Sequence, residues 1–361
     1  MADLSVKIAG VEFPNPVIAA SGTYGNGECF TDLYPLSRLG GISCKGMTIV
    51  PKLGNVPPRI AETPSGILNS VGLQNIGVHG FIEYYLPTLK EEGNVIIANV
   101  AGATIDDYIA AAEALDVTNV DMIELNISCP NVKAGGATWG VTCEGAASVT
   151  KAVRAATSKP LIVKLTPNVT NITEIAKAVE AEGADSISMI NTLLGMRIDI
   201  RTKRPILHNN VGGLSGPAIF PVAVRMVWQC YNAVKIPIIG MGGISTWEDA
   251  VEMMMAGRAR EDHLRNAFRR APAVFHQRNH ARYNDRRRNR RENCAHNGGL
   301  DTADAEQVWR KQNIPGKLAG RRQAGQQHRR ASNLTEVGEV ERQTGLDEND
   351  DERHLPEVGR N

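Results

Sequence analysis

Residues 122–131 read Met122-Ile-Glu-Leu-Asn-Ile-Ser-Cys-Pro-Asn131, and the order of these side chains decides the architecture. A short apolar run, 122–127, gives way to polar residues and then to a proline that ends it. A buried strand therefore delivers Asn126, Ser128 and Cys129 to its carboxyl end. Six further runs have the same form, at 17–20, 41–45, 95–100, 161–165, 186–190 and 236–240. Near-continuous apolar runs of this length suit parallel strands covered on both faces.

Between the runs lie stretches with helical periodicity, at 78–91, 105–115, 144–157, 172–182, 218–233 and 246–256. Thr104 before Ile105-Asp-Asp107, and Ser245-Thr246 before Trp247-Glu-Asp249, are helix-capping signals. Such an alternation suits either a doubly wound sheet or a barrel, and strand counting does not separate them. The polar residues do. Ser21, Lys45, Asn99, Asn126, Lys164 and Asn191 each fall at or just past the carboxyl end of a different strand, and only a closed ring brings all those ends to one mouth. The expected fold is α/β, a TIM-type (β/α)8 barrel, opened by a short ribbon at 5–13. Two long connections, 48–77 and 192–217, are rich in Gly, Pro and Asn. The second carries alternating segments at 196–200 and 205–209 that read as a hairpin, and both connections are expected to cover the mouth.

Length alone allows one large barrel, but composition divides the chain near Gly257. Seven arginines precede that residue and twenty follow it, while only two lysines lie beyond it. After Gly257, Val, Ile, Leu and Phe fall to about 13% of residues, below the ~20% that usually separates folding from disordered chains. We expect 1–257 to be a barrel domain and 258–361 an arginine-rich tail, disordered or translated from a shifted reading frame. The net charge of +1 averages these unlike parts and points to no partner. The six cysteines form no Cys-x-x-Cys pair, so neither a zinc site nor an iron–sulfur cluster is expected on this chain. Free thiols and the lack of an apolar stretch of membrane-spanning length suggest the cytoplasm, without membrane attachment.

A cysteine after a strand is usually packing. Here Pro130 ends the strand and Asn126, Ser128 and Asn131 surround the thiol, so Cys129 reads as a partly exposed thiol, able to act as a general base once partly ionised. Asn-x-Ser-Cys-Pro-Asn, Asn69-Ser-Val-Gly-Leu-Gln-Asn75 and Gly240-Met-Gly-Gly243 together resemble the soluble dihydroorotate dehydrogenases, in which the base is cysteine. Asn191-Thr-Leu-Leu-Gly-Met196 and Gly212-Gly-Leu-Ser-Gly-Pro217 are similar to the heteromeric, NAD-linked type. The resemblance covers about 257 residues.

The resemblance implies oxidation of dihydroorotate to orotate in pyrimidine biosynthesis, Cys129 taking the C5 proton and FMN the C6 hydride. It implies substrate contacts from Lys45, Asn69, Gly72, Leu73, Asn126, Asn191 and Thr192. The FMN positions it implies are Ser21, Lys45, Gly46, Asn99, Asn126, Lys164, Ile190, Gly216, Gly242 and Gly243. Lys164 would stabilise reduced, anionic flavin, and the glycines suit phosphate contacts because backbone N–H groups can approach oxygen closely there. No metal site is implied. Electrons would pass to NAD through a partner subunit carrying FAD and an iron–sulfur cluster, in a hetero-oligomer around a catalytic dimer. The glycine-bearing segment 132–140 reads as a lid over the site.

The resemblance ends at Gly257. The family continues with an eighth strand ending in Gly-Thr, which completes the phosphate cradle, and a final helix. Neither is recognisable here, and 273–276 is a short, weakly apolar candidate, so the barrel is expected to be incomplete. Open sheet edges and half a phosphate loop would weaken both stability and FMN binding. A second reading follows from the same departure: an inactive, truncated barrel whose basic tail binds RNA non-specifically. A specific nucleic-acid role is not expected.

Overall fold

The structure, a computed structural model, describes residues 3–27, 30–31, 33–128, 139–257 and the backbone of 274–276. Eight parallel strands form a closed barrel. In order around the ring they are Val17–Ala19, Gly41–Ser43, Val95–Val100, Met122–Asn126, Leu161–Lys164, Ser186–Met189, Ile238–Met241 and Val274–His276. The first seven match the expected runs to within a residue or two at each end.

The eighth strand falls on the short candidate segment at 273–276. Val274–His276 pairs with Ile238–Met241 on one side and with Val17–Ala19 on the other, in the register Gly240↔Val274 and Phe275↔Ile18. The ring is therefore closed rather than open. Ladder hydrogen bonds use backbone N–H and C=O groups, so three residues can bridge two edges without a long apolar run. Residues 258–273 and 277–361, which include the expected tail, lie outside the described residues.

Helices follow the strands and cover the outside of the ring. Thr104 and Thr246 each form a capping box, with Asp107 and Asp249 respectively, as their sequence signals require. The stretch 78–91 is two helices, Gly77–Tyr84 and Leu86–Glu91, rather than one. Pro87 explains the break, because its ring would clash with the carbonyl of Glu83 in a continuous helix.

Alternation along each strand creates two cores. Outward residues such as Ile42, Ile96, Ala98, Ile123, Leu125 and Val163 pack against the helices. Inward residues near the amino ends, Ile18, Ile97, Met122, Ile162 and Ile239, join Val6, Ile8 and Phe13 of the opening ribbon in a separate apolar cluster. That ribbon, Val6–Ile8 paired with Val11–Phe13, closes the floor of the barrel.

At the opposite end, the two long connections build one antiparallel sheet, in the order Leu193–Met196, Val211–Ser215, Gly66–Asn69, Ile60–Thr63. The expected hairpin is present as Ile198–Asp199 with Arg204–Pro205. The pairing between the connections, Gly213↔Asn69, joins residues far apart in sequence and ties both covers together.

Candidate functional site

Two strand tips start the site. Asn99 and Asn126 lie at the carboxyl ends of the third and fourth barrel strands and are 0% and 6% exposed. Their side chains meet, Asn126 Nδ2 donating to Asn99 Oδ1 at 3.3 Å. Tyr108, fully buried on the helix Ile105–Asp116, donates its hydroxyl to Asn126 O at 3.0 Å and fixes the strand end from outside. Gly46 lies against both asparagines. A β-carbon there would stand 2.9 Å from Asn99 Oδ1, 3.1 Å from Leu73 Cδ2 and 3.7 Å from Asn126 Nδ2, so Gly46, Leu73, Asn99 and Asn126 share one wall.

The wall continues through Ser128, whose hydroxyl donates to Asn126 Oδ1 at 2.9 Å. Asn191 Nδ2 donates to the same hydroxyl at 2.8 Å and to Ser128 O at 3.0 Å. Thr192 N donates to Asn191 Oδ1 at 2.8 Å. The Thr192 side chain packs on Gly213, and Gly213 O accepts from Asn69 Nδ2 at 3.3 Å. Of the residues carried over for substrate, Asn69, Leu73, Asn126, Asn191 and Thr192 thus belong to one contiguous surface. Gly72 precedes Leu73 in a turn where both have positive φ, 79° and 56°. Lys45 adjoins Gly46, and its backbone N–H donates to Asn26 Oδ1 at 3.1 Å.

Lys164 pairs in register with Asn126 on one side and with Ser188 on the other, which points it into the same mouth. It is 6% exposed, and no acidic side chain forms an ion pair with it among the described residues. A buried cation without a direct ion pair is costly, and an anionic ligand group beside it would satisfy it. Ser21 is buried at the tip of the first strand.

A second cluster adjoins Asn191. Ile190 packs against Gly242, and Gly243 abuts Gly216. A β-carbon on Gly243 would lie 2.7 Å from Gly216 O and 2.8 Å from Phe220 N, the first residue of the helix Phe220–Tyr231. Gly216 and Gly243 have φ of 105° and 77°, which disfavour any side chain. Two glycine turns pressed against a helix start make a cradle suited to a phosphate. Cys129 and most of the expected lid lie outside the described residues, although Ser128, adjacent to Cys129 in the chain, is described.

The sequence reading missed four polar members. Glu124, Ser43 and Ser188 fill the barrel interior below Asn99 and Asn126, and Asn26 holds the Lys45 backbone. Glu124 carried a signal, since an acid inside an apolar run, two residues before Asn126, must share that residue's inward face. Arg59 was also missed. It donates to Gln74 Oε1 at 2.5 Å and to Asn55 O at 3.2 Å beneath the cover, and burial pushes its guanidinium below the usual value.

A β/α barrel whose mouth gathers amides, a buried lysine and a glycine-lined helix start has the form of a barrel enzyme with an anion-binding mouth. The family model for dihydroorotate dehydrogenase matches residues 3–260. The chain is 58% identical over 258 residues to the Parabacteroides distasonis protein named dihydroorotate dehydrogenase B (NAD(+)), catalytic subunit, covering 71% of this chain and 85% of that one. It is 57% identical over 258 residues to the protein of that name from Bacteroides thetaiotaomicron, with the same coverage. The corresponding Alkaliphilus oremlandii protein is 56% identical over 255 residues, 71% of this chain and 84% of that one. A crystal structure of the Eimeria tenella enzyme DHODH in complex with ferulenol superposes with a TM-score of 0.60 at 23% identity, covering 76% of this chain and 78% of that one, a likeness of fold. The chain belongs to the dihydroorotate dehydrogenase family, a family of flavoproteins. No described helix is long and apolar enough to cross a membrane.

Proposed function

We propose that this chain is the catalytic subunit of an NAD-linked dihydroorotate dehydrogenase, oxidising dihydroorotate to orotate for pyrimidine biosynthesis, with residues 1–257 as the catalytic unit. The observation that carries this reading is the convergence of Asn69, Asn126, Asn191 and Thr192 on one wall beside Lys164, which is buried and has no ion pair among the described residues. Dihydroorotate is flat and polar, with one carboxylate. Amides and hydroxyls suit its ring, and Lys45 suits its charge.

The residues present fit FMN. Gly216, Gly242 and Gly243 would hold its phosphate at the start of the helix Phe220–Tyr231, and Lys164, Lys45, Asn99, Asn126, Gly46, Ser21 and Ile190 would hold the ring system. Bound FMN supplies the acceptor for the hydride leaving C6. Lys164 places positive charge where electron density accumulates, and Cys129, next after Ser128, removes the C5 proton. The covering sheet excludes water from the ring. The partner subunit implied by the name catalytic subunit would carry FAD and an iron–sulfur cluster and pass electrons to NAD, the working protein being a cytoplasmic hetero-oligomer.

The test is anaerobic bleaching of the purified yellow protein by dihydroorotate, with Cys129→Ser alongside. We expect the wild type to bleach, and the variant to react at least about tenfold more slowly at neutral pH, the low end of what a general base contributes. A colourless protein, or one that does not bleach, overturns the function. Unchanged rates in Cys129→Ser overturn the base.

A further inference from the structure

Glu124 is the one acid among the buried polar and charged side chains of the described residues, with 0% exposure. It stands mid-strand in Met122–Asn126, facing inward. Its Oε2 accepts from Ser43 Oγ at 2.7 Å and from Asn99 Nδ2, and its Oε1 accepts from Ser188 Oγ at 2.6 Å. Those partners stand on three other strands of the ring. No lysine or arginine pairs with it among the described residues. Burying an acid in a barrel without an ion pair is expensive, and a leucine would fill the same volume at no such cost. Packing therefore does not account for it.

The hydrogen bonds leading away from Glu124 all run one way. A carboxylate only accepts, so Asn99 must turn its NH2 toward Glu124 and its oxygen outward. That oxygen accepts from Asn126 Nδ2, which turns the Asn126 oxygen to Ser128. The Ser128 hydroxyl, having donated to Asn126, accepts from Asn191 Nδ2, and the Asn191 oxygen accepts from Thr192 N. Every donor in this series points back toward the acid. Reversing one amide would set NH2 against NH2 or oxygen against oxygen, and a buried mismatch of that kind is costly.

We propose that Glu124 is a positioning residue that sets, before any ligand arrives, which atom of each mouth amide is the donor and which the acceptor. The proposal rests on the function argued above. A cyclic ureide presents alternating N–H and C=O groups, so an amide turned the wrong way offers a donor to a donor. Glu124 thus governs recognition of the substrate ring from below the site, without touching it.

The test uses the full-length, flavin-loaded protein and compares Glu124→Leu, Glu124→Met, Glu124→Gln and Ser128→Ala. Gln keeps the shape, and its amide oxygen can still accept from Asn99 while the Ser188 hydroxyl rotates to accept from its NH2. We expect the apolar variants to retain flavin but to raise KM for dihydroorotate and Kd for orotate about tenfold, which corresponds to about 1.4 kcal/mol. Glu124→Gln should restore both to within about threefold, the equivalent of less than one net hydrogen bond. Ser128→Ala severs the series between the two ends. Adding Glu124→Leu to it should therefore raise KM by less than the two separate effects combined, although the two residues share no hydrogen bond.

Wild-type KM in flavin-loaded Glu124→Leu or Glu124→Met, or additive effects in the double variant, would overturn the proposal. Failure of both apolar variants to load flavin would make Glu124 a structural group and overturn it too. A wild type that dihydroorotate does not bleach would instead sink the function itself.

Discussion

Replacing Gly46 by alanine adds one methyl group at a tight point in the wall of the mouth. That carbon would stand 2.9 Å from Asn99 Oδ1 and 3.1 Å from Leu73 Cδ2. Asn99 would have to retreat by about 0.5 Å to reach ordinary contact at 3.4 Å. It has little room to do so, because its NH2 is anchored on Glu124 and its oxygen is held by Asn126. Overpacking a constrained site costs about 1–3 kcal/mol, or roughly 5- to 150-fold in an equilibrium constant. Since the displaced groups are the proposed ligand contacts, we expect the penalty in FMN and orotate affinity. Flavin-fluorescence titration of the deflavinated chain measures the first, and the orotate-induced change in the flavin spectrum measures the second. Affinities within twofold of wild type, with an unchanged melting temperature, would show that the Gly46 contact does not constrain the wall.

Tyr108→Phe removes the buried hydroxyl that donates to Asn126 O, and should cost about 1–2 kcal/mol and lower Tm by roughly 2–6 °C in thermal denaturation. Asp116 accepts from Thr157 Oγ1 at 2.6 Å and from Ser158 N at 2.7 Å, and these bonds hold its carboxyl below the usual range. The folded value lies below the unfolded one, so the contribution is fully present above about pH 4 and disappears as pH falls through the depressed value. Asp116→Asn should therefore lower stability at neutral pH and flatten its acid dependence, as read by urea denaturation from pH 2 to pH 7. A chain ending at Gly257 leaves Val17–Ala19 and Ile238–Met241 unpaired on their facing edges. It should melt earlier and aggregate more than the full chain, and equal melting would show that Val274–His276 contributes nothing to closure.

The strands were legible because each is an apolar run that must be covered on both faces, and the mouth was legible because polar side chains cluster where those runs end. Lys164, Asn99 and Asn126 could be placed on that rule alone. What escaped was long-range or carried by backbone. The Gly213↔Asn69 pairing joins two glycine-rich connections that look locally like separate hairpins. The eighth strand needs only three residues of backbone, so 273–276 could be read as no more than a short, weakly apolar candidate. Glu124 was hidden for the opposite reason. Within the run 122–127 its neighbours are apolar, and only the two-residue repeat shows that it shares an inward face with Asn126 while Ile123 and Leu125 face the helices.

The dry floor has a consequence for traffic through the enzyme. Val6, Ile8 and Phe13 cover the amino ends of the strands with apolar side chains, and Ser186, the buried hydroxyl in register with Ile162 of that cluster, already donates to Pro237 O. Substrate, product and the proton released from the substrate must therefore all pass through the covered end. A tightly held product would block the route by which protons equilibrate with bulk solvent. Solvent-hydrogen exchange behind it should slow in step with product release.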